Sequence, residues 1–168
     1  MVVAGCFTTE QKRPRASGRV LDLQIAGAKV PGGDDGWYAA MQPVFARWSV
    51  FIPGHTLAEG LRRGAQGAYS NVACLSPSGA QRWYDLCLRE PAEGRAWGER
   101  IRAFWQVNIA PIITRDGLSN MAADKAAAVA GGWLPGLTPR LRWPYQSVTK
   151  DAAQQIGAIA RTDLPELF

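Results

Sequence analysis

A repeating rhythm in the first half of the chain most constrains its fold. Short apolar runs are each closed by proline or glycine, and each is followed by a helical pattern. Gln24-Ile25-Ala26-Gly27-Ala28-Lys29-Val30 stops at Pro31-Gly32-Gly33. Ser49-Val50-Phe51-Ile52 stops at Pro53-Gly54, and Gly67-Ala68-Tyr69-Ser70 follows Gly64. Such runs read as buried strands bounded by turns. Residues 37–47 between the first two runs are helical in pattern, with Pro43 expected to kink or shorten the helix. Thr56 is placed to cap a second helix that ends at Arg63-Gly64. Strands alternating with helices at this spacing form βα units of a parallel sheet.

After Pro77 the pattern turns helical. Helices are expected over 78–89, 93–110, 119–130 and 147–161, with Ser147 or Thr149 capping the last. A Trp/Pro-rich loop is expected over 133–145. Residues 1–19 are polar and basic and read as a poorly specified lead.

The chain has 168 residues, 47% of them hydrophobic and 20% charged, which is enough apolar material for a packed core. No run of about 20 apolar residues is present to span a bilayer. The opening MVVAGCFTTEQ lacks the cationic lead of a signal peptide. Cys6, Cys74 and Cys87 fit neither a disulfide framework nor a zinc site, and they point to a reducing cytoplasm. The net charge of +5 invites a nucleic-acid partner. However, the cations are mostly arginines spread along the chain, without a nucleic-acid-binding motif, and read as a solvated surface.

Three features carry possible chemistry. Lysine occurs only at 12, 29, 125 and 150, and Lys29 alone interrupts an apolar strand. A lysine desolvated at the carboxyl end of a parallel strand can be a nucleophile toward ketones. The plainer alternative is a strand-end lysine that snorkels to solvent. His55, the single histidine, follows Pro53-Gly54. It can shuttle protons near neutrality, or be an ordinary loop residue near a helix start. Tyr69, Ser70 and Asn71 place polar groups where the third strand leaves the sheet, the end at which ligands bind in parallel sheets and barrels. The same residues also suit a simple strand-to-loop switch. No G-x-G-x-x-G opens a helix, so a dinucleotide site is not expected.

Four segments, in this order, resemble the dihydrodipicolinate synthase / N-acetylneuraminate lyase family. They are IAGAKV, SVFIPGHT, LRRGAQGAYSNVACLSP and SNMAADKAAAVAGGWLPGLTPRLRWPY. The resemblance covers about residues 20–168. It implies an α/β fold: strands 6–8 of a (β/α)8 TIM barrel over 20–90, then a C-terminal helical segment over 91–168. It implies that Lys29 forms a Schiff base with pyruvate or a related 2-keto acid. Aldol cleavage, aldol condensation or dehydration would follow without metal or organic cofactor. Gly54 and His55 would line the substrate at the end of the seventh strand, and Tyr69 and Ser70 at the eighth. Asn120 matches the family's tail asparagine, although Met121 stands where the family has proline.

The family's Gly-Gly-Thr-Thr-Gly-Glu-like carboxylate-binding motif and its Tyr-Asn-x-Pro acid/base segment do not occur in the chain. A full barrel typically takes about 250 residues. The expectation is therefore a truncated form of a lyase that acts on a small 2-keto acid, without nucleic acid or membrane, and is homo-oligomeric if its barrel is completed. The alternatives are a non-catalytic remnant or assembly module of the same fold and, less favoured, a basic nucleic-acid-binding protein.

Overall fold

The computed structural model describes residues 27–168. The lead over 1–19, Cys6 and the first residues of the opening apolar run lie outside the described residues. The three expected strands are present as β1 (Gly27–Lys29), β2 (Ser49–Pro53) and β3 (Gly67–Tyr69). They form one parallel sheet in the order β1-β2-β3. Helix α1 (Asp35–Phe45) links β1 to β2, and α2 (Leu57–Arg62) links β2 to β3. Each link is a βα crossover of the kind a parallel pair requires.

The two faces of the sheet differ. Lys29 pairs with Phe51 and Phe51 with Gly67, while Ala28 pairs with Val50 and Ile52 with Ala68. Side chains alternate along a strand, so Ala28, Val50, Ile52 and Ala68 share one face. Val50 and Ile52 on that face are fully buried. Val50 packs with Tyr38 and Phe45 of α1. Ile52 packs against Gly60 of α2, where an added Cβ would lie 1.9 Å from Ile52 Cδ1. Gln66 secures the amino end of β2 by accepting from Val50 N (2.7 Å) and donating to Phe45 O (3.2 Å). The opposite face carries Lys29, Phe51, Pro53 and Tyr69, all partly or fully exposed.

The remaining elements are α3 (Val72–Leu75), α4 (Pro77–Arg89), α5 (Pro91–Asn108), α6 (Ala110–Thr114), α7 (Asn120–Gly131) and α8 (Lys150–Asp163). Trp83 of α4 is fully buried and donates its indole N–H to Gly94 O of α5 at 2.8 Å. Alanines stripe the α7–α8 contact, and Gly157 brings the helices so close that a Cβ there would sit 2.4 Å from Ala130 O. Gly131 lies against Leu75 O in the same way, at 1.8 Å from an ideal Cβ, which seats α7 on α3. Arg161 of α8 closes the carboxyl end of α7 by donating to Ala130 O and Gly131 O. One continuous hydrophobic cluster runs from Leu57 to Leu167.

Several local expectations are corrected. Pro43 does not shorten α1, which runs through it to Phe45. Thr56 makes no cap bond; its hydroxyl donates to Pro53 O at 2.9 Å, within a 3-10 turn over Gly54–Thr56. The helix expected over 93–110 ends at Asn108, and α6 restarts with Pro111 in its first turn, where a missing N–H costs nothing. Thr149, not Ser147, caps α8 by accepting from Ala152 N.

Candidate active site

The carboxyl ends of the three strands gather the residues that the sequence singled out. Lys29 closes β1 and Tyr69 closes β3, with β2 between them. Both stand on the exposed face, because the register places Lys29 beside Phe51 and Phe51 beside Gly67, two residues before Tyr69. Gly67 and Gly27 leave room for the Phe51 ring: a Cβ on Gly67 would lie 3.1 Å from it. The result is a direct contact, with Lys29 Nζ 3.8 Å from the centre of the Tyr69 ring. Such cation–π contacts contribute about 0.5–1 kcal/mol at exposed sites. The Tyr69 hydroxyl points back to Val30 O at 3.5 Å. Lys29 is exposed, as the snorkelling alternative expects and unlike the desolvated lysine of the nucleophile reading, since this face of the sheet has no covering layer among the described residues.

Gly54, His55 and Ser70 form a second group, one residue further along. Gly54 is buried against the β3 exit; a Cβ there would lie 2.6 Å from Ser70 Oγ and 2.7 Å from Ser70 Cα. Ser70 turns the chain into α3 by accepting from Ala73 N at 3.1 Å. Half-buried His55 meets Asn71, whose amide nitrogen is 3.4 Å from His55 Nδ1. Burial lowers the pKa of His55 and the Asn71 contact opposes that, while the charge of Arg102 on α5 adds to the lowering. The contacts of His55 thus run toward Asn71 and α5, and those of Lys29 toward Tyr69.

Asp124 is half-buried on α7, with the Asn120 amide donating to its Oδ2 at 3.0 Å. Burial raises the pKa of Asp124, and the Lys29 charge acts against that rise. Cys74 of α3 is pushed up to about 11 by burial and by the charge of Asp124. It is therefore a thiol at neutral pH and a poor nucleophile.

Among the described residues, no three His, Cys, Asp or Glu side chains converge as a metal site. No helix among them is long and apolar enough to cross a membrane. Two surface clefts have no lining residue from the strand ends. One of about 300 Å³ is lined by Ala58, Glu59, Cys87 and Arg95, and one of about 480 Å³ by Lys125, Arg140 and Trp143.

No family profile matches the chain, and no curated protein does. Its fold, however, is shared with solved structures. Clostridium difficile CdNal, crystallised with mannosamine, aligns at TM-score 0.58 and 16% identity over 80% of this chain and 45% of that one. A dihydrodipicolinate synthase family protein from Coccidioides immitis aligns at TM-score 0.59 and 21% identity, over 84% and 47%. Dihydrodipicolinate synthase from Agrobacterium tumefaciens aligns at 0.50 and 19%, over 83% and 44%. At these identities the likeness is one of fold. The chain spans a little under half the length of each of these structures.

Proposed function

We propose that the chain is the carboxyl-terminal part of a Schiff-base-forming lyase or aldolase acting on pyruvate or a related 2-keto acid. In this reading β1, β2 and β3 are the sixth, seventh and eighth strands of a (β/α)8 barrel, within 20–90, and 91–168 is the helical segment that follows. The observation that carries it is the placement of Lys29: an amine at the carboxyl end of a parallel strand, held over the Tyr69 ring, in a fold shared with dihydrodipicolinate synthase structures. The free amine attacks the keto carbon, the carbinolamine loses water, and the iminium accepts the electron pair released when a neighbouring carbon–carbon bond breaks. The Tyr69 ring orients the side chain on the sheet face. Gly54 allows the β2 and β3 exits to approach closely, and His55 and Ser70 line the rim beyond them. The other strands of such a barrel would come from sequence outside these residues or from a partner chain, and a completed barrel would be homo-oligomeric. Unpaired Cys74 and Cys87 suit a reducing cytoplasm.

A second reading, an assembly module without activity of its own, is favoured by the sheet itself. β1 and β3 are both edge strands with exposed side chains on one face, a template for pairing. Borohydride reduction in the presence of pyruvate separates the two. The lyase reading expects a mass adduct that the Lys29→Ala variant lacks. Absence of an adduct at every pH, together with a stable complex by light scattering, supports the assembly reading instead.

A further inference from the structure

The Trp/Pro-rich loop over 133–145 has no part in the keto-acid site, yet it builds the larger of the two clefts. That cleft, of about 480 Å³, is lined by Lys125 of α7 and by Thr138, Arg140, Leu141, Arg142 and Trp143 of the loop. Its volume falls within the range of small-molecule sites, about 300–1,000 Å³. The loop is folded so as to present these side chains. Pro139 is buried and Leu141 half-buried, while Thr138, Arg140 and Arg142 alternate with them and are exposed. Two bonds pin the backbone: Lys125 Nζ donates to Arg140 O at 2.5 Å, and Leu141 N donates to Ser147 Oγ at 2.7 Å. A turn closed by Tyr145 N donating to Arg142 O (3.0 Å) then carries Trp143 outward.

Two properties of the cleft point to a ligand. First, its charge is uncompensated. No Asp or Glu lines it, and Lys125, Arg140 and Arg142 form no ion pair among the described residues. Lys125 uses one of its three N–H donors on Arg140 O, and both guanidinium forks are left for an anion. Such forks match the oxygens of a phosphate group. Second, Trp143 is 92% exposed, the most of any large hydrophobic side chain among the described residues. Tryptophan is highly buried on average, and an indole held in solvent beside cations offers its ring to a flat partner. A ligand that answers both properties carries phosphate and a planar ring together. We propose that this cleft binds a nucleotide, with its phosphates held by Lys125, Arg140 and Arg142 and its base stacked on Trp143. Thr138 adds a hydroxyl for the sugar or a phosphate oxygen. One stacking ring in a cleft of this size suits a single nucleotide, whereas a strand of nucleic acid takes successive aromatic residues along a cationic groove. The cleft shares no residue with the strand ends, so the proposal does not depend on the Schiff-base reading.

The test is isothermal titration calorimetry of the full chain with ADP, pyrophosphate, adenosine and a short oligothymidylate, repeated on Arg140→Gln, Arg142→Gln and Trp143→Leu. All three replaced side chains are exposed, and circular dichroism checks that each variant keeps its fold. ADP is expected to bind at one site per chain, about 10-fold more tightly than pyrophosphate or adenosine. Trp143→Leu is expected to weaken ADP about 10-fold and to leave pyrophosphate unchanged. Arg140→Gln and Arg142→Gln are each expected to weaken ADP and pyrophosphate alike, by about 10-fold. Absence of ADP binding at millimolar concentration overturns the proposal. So does ADP binding that neither the tryptophan nor the arginine variants change. Oligothymidylate that binds where ADP does not overturns the single-nucleotide site in favour of a strand. Each variant reads the site independently, so loss of fold in one leaves the other two to decide.

Discussion

Replacing Gly54 with alanine tests whether the β2 and β3 exits must touch for the site to form. The added methyl would lie 2.7 Å from Ser70 Cα, 2.6 Å from Ser70 Oγ and 2.9 Å from Asn71 Oδ1. Carbon atoms pack at about 3.5–4.0 Å, so the exits must part by on the order of 1 Å. Ser70 Cα is backbone and cannot rotate aside. Overpacking of this kind costs about 1–3 kcal/mol. For a chain of this size that is a fall in Tm of roughly 2–12 °C. Tyr69 precedes Ser70, so the shift also moves the ring on which Lys29 rests. A displacement of about 1 Å at a reacting centre can cost on the order of 100-fold in rate. Thermal unfolding followed by far-UV circular dichroism reads the first effect, and borohydride trapping with pyruvate reads the second. Gly36→Ala is the control. Its nearest outside atom is Asp34 Oδ1 at 3.5 Å, and it lies in the first turn of α1, so no loss of stability is expected. A Gly54→Ala protein as stable as the control would refute the argument that this glycine is required by a close backbone approach.

Three further outcomes follow from the same geometry. Tyr69→Leu removes the ring under Lys29 and should destabilise the chain by about 0.5–1 kcal/mol beyond Tyr69→Phe, as read from urea midpoints; equal midpoints would discount the cation–π contact. Hydrogen bonds from Arg62 and then Arg63 hold Glu59 at about 2, below its unfolded value. Its contribution is therefore present above the ordinary carboxylate range and is lost as pH falls from about 4.5 toward about 2, so the stability gap between wild type and Glu59→Gln should shrink over that interval. Gly131→Ala sets a methyl against Leu75 O and should detach α7 from α3, seen as faster hydrogen exchange along α7; an unchanged exchange pattern would show that α7 is held by other contacts.

The strands and most helices were legible because proline and glycine punctuate them: Pro31 and Gly64 stand just after an element that forms, and Pro53 is the last residue of β2. α3 escaped notice because four residues carry no periodicity. The break at Ile109 was hidden by an apolar pattern that continues across it to Ile112, while Pro111 dictated the restart. Lys29 and Tyr69 were each singled out, but not as neighbours. Their contact depends on the register, which puts Gly67, two residues before Tyr69, level with Lys29 across Phe51. The exposure of Lys29 matches the snorkelling alternative, but which face of the sheet is left uncovered was not legible in an apolar strand sequence.

The amine that reacts with the keto acid is the most direct mark of a Schiff-base enzyme. After incubation with pyruvate and borohydride, peptide mapping by mass spectrometry should locate the reduced adduct on Lys29. Lys12, Lys125 and Lys150, the only other lysines, should remain unmodified. An adduct spread over all four lysines, or found on any of them but Lys29, would contradict the assignment of Lys29 as the nucleophile.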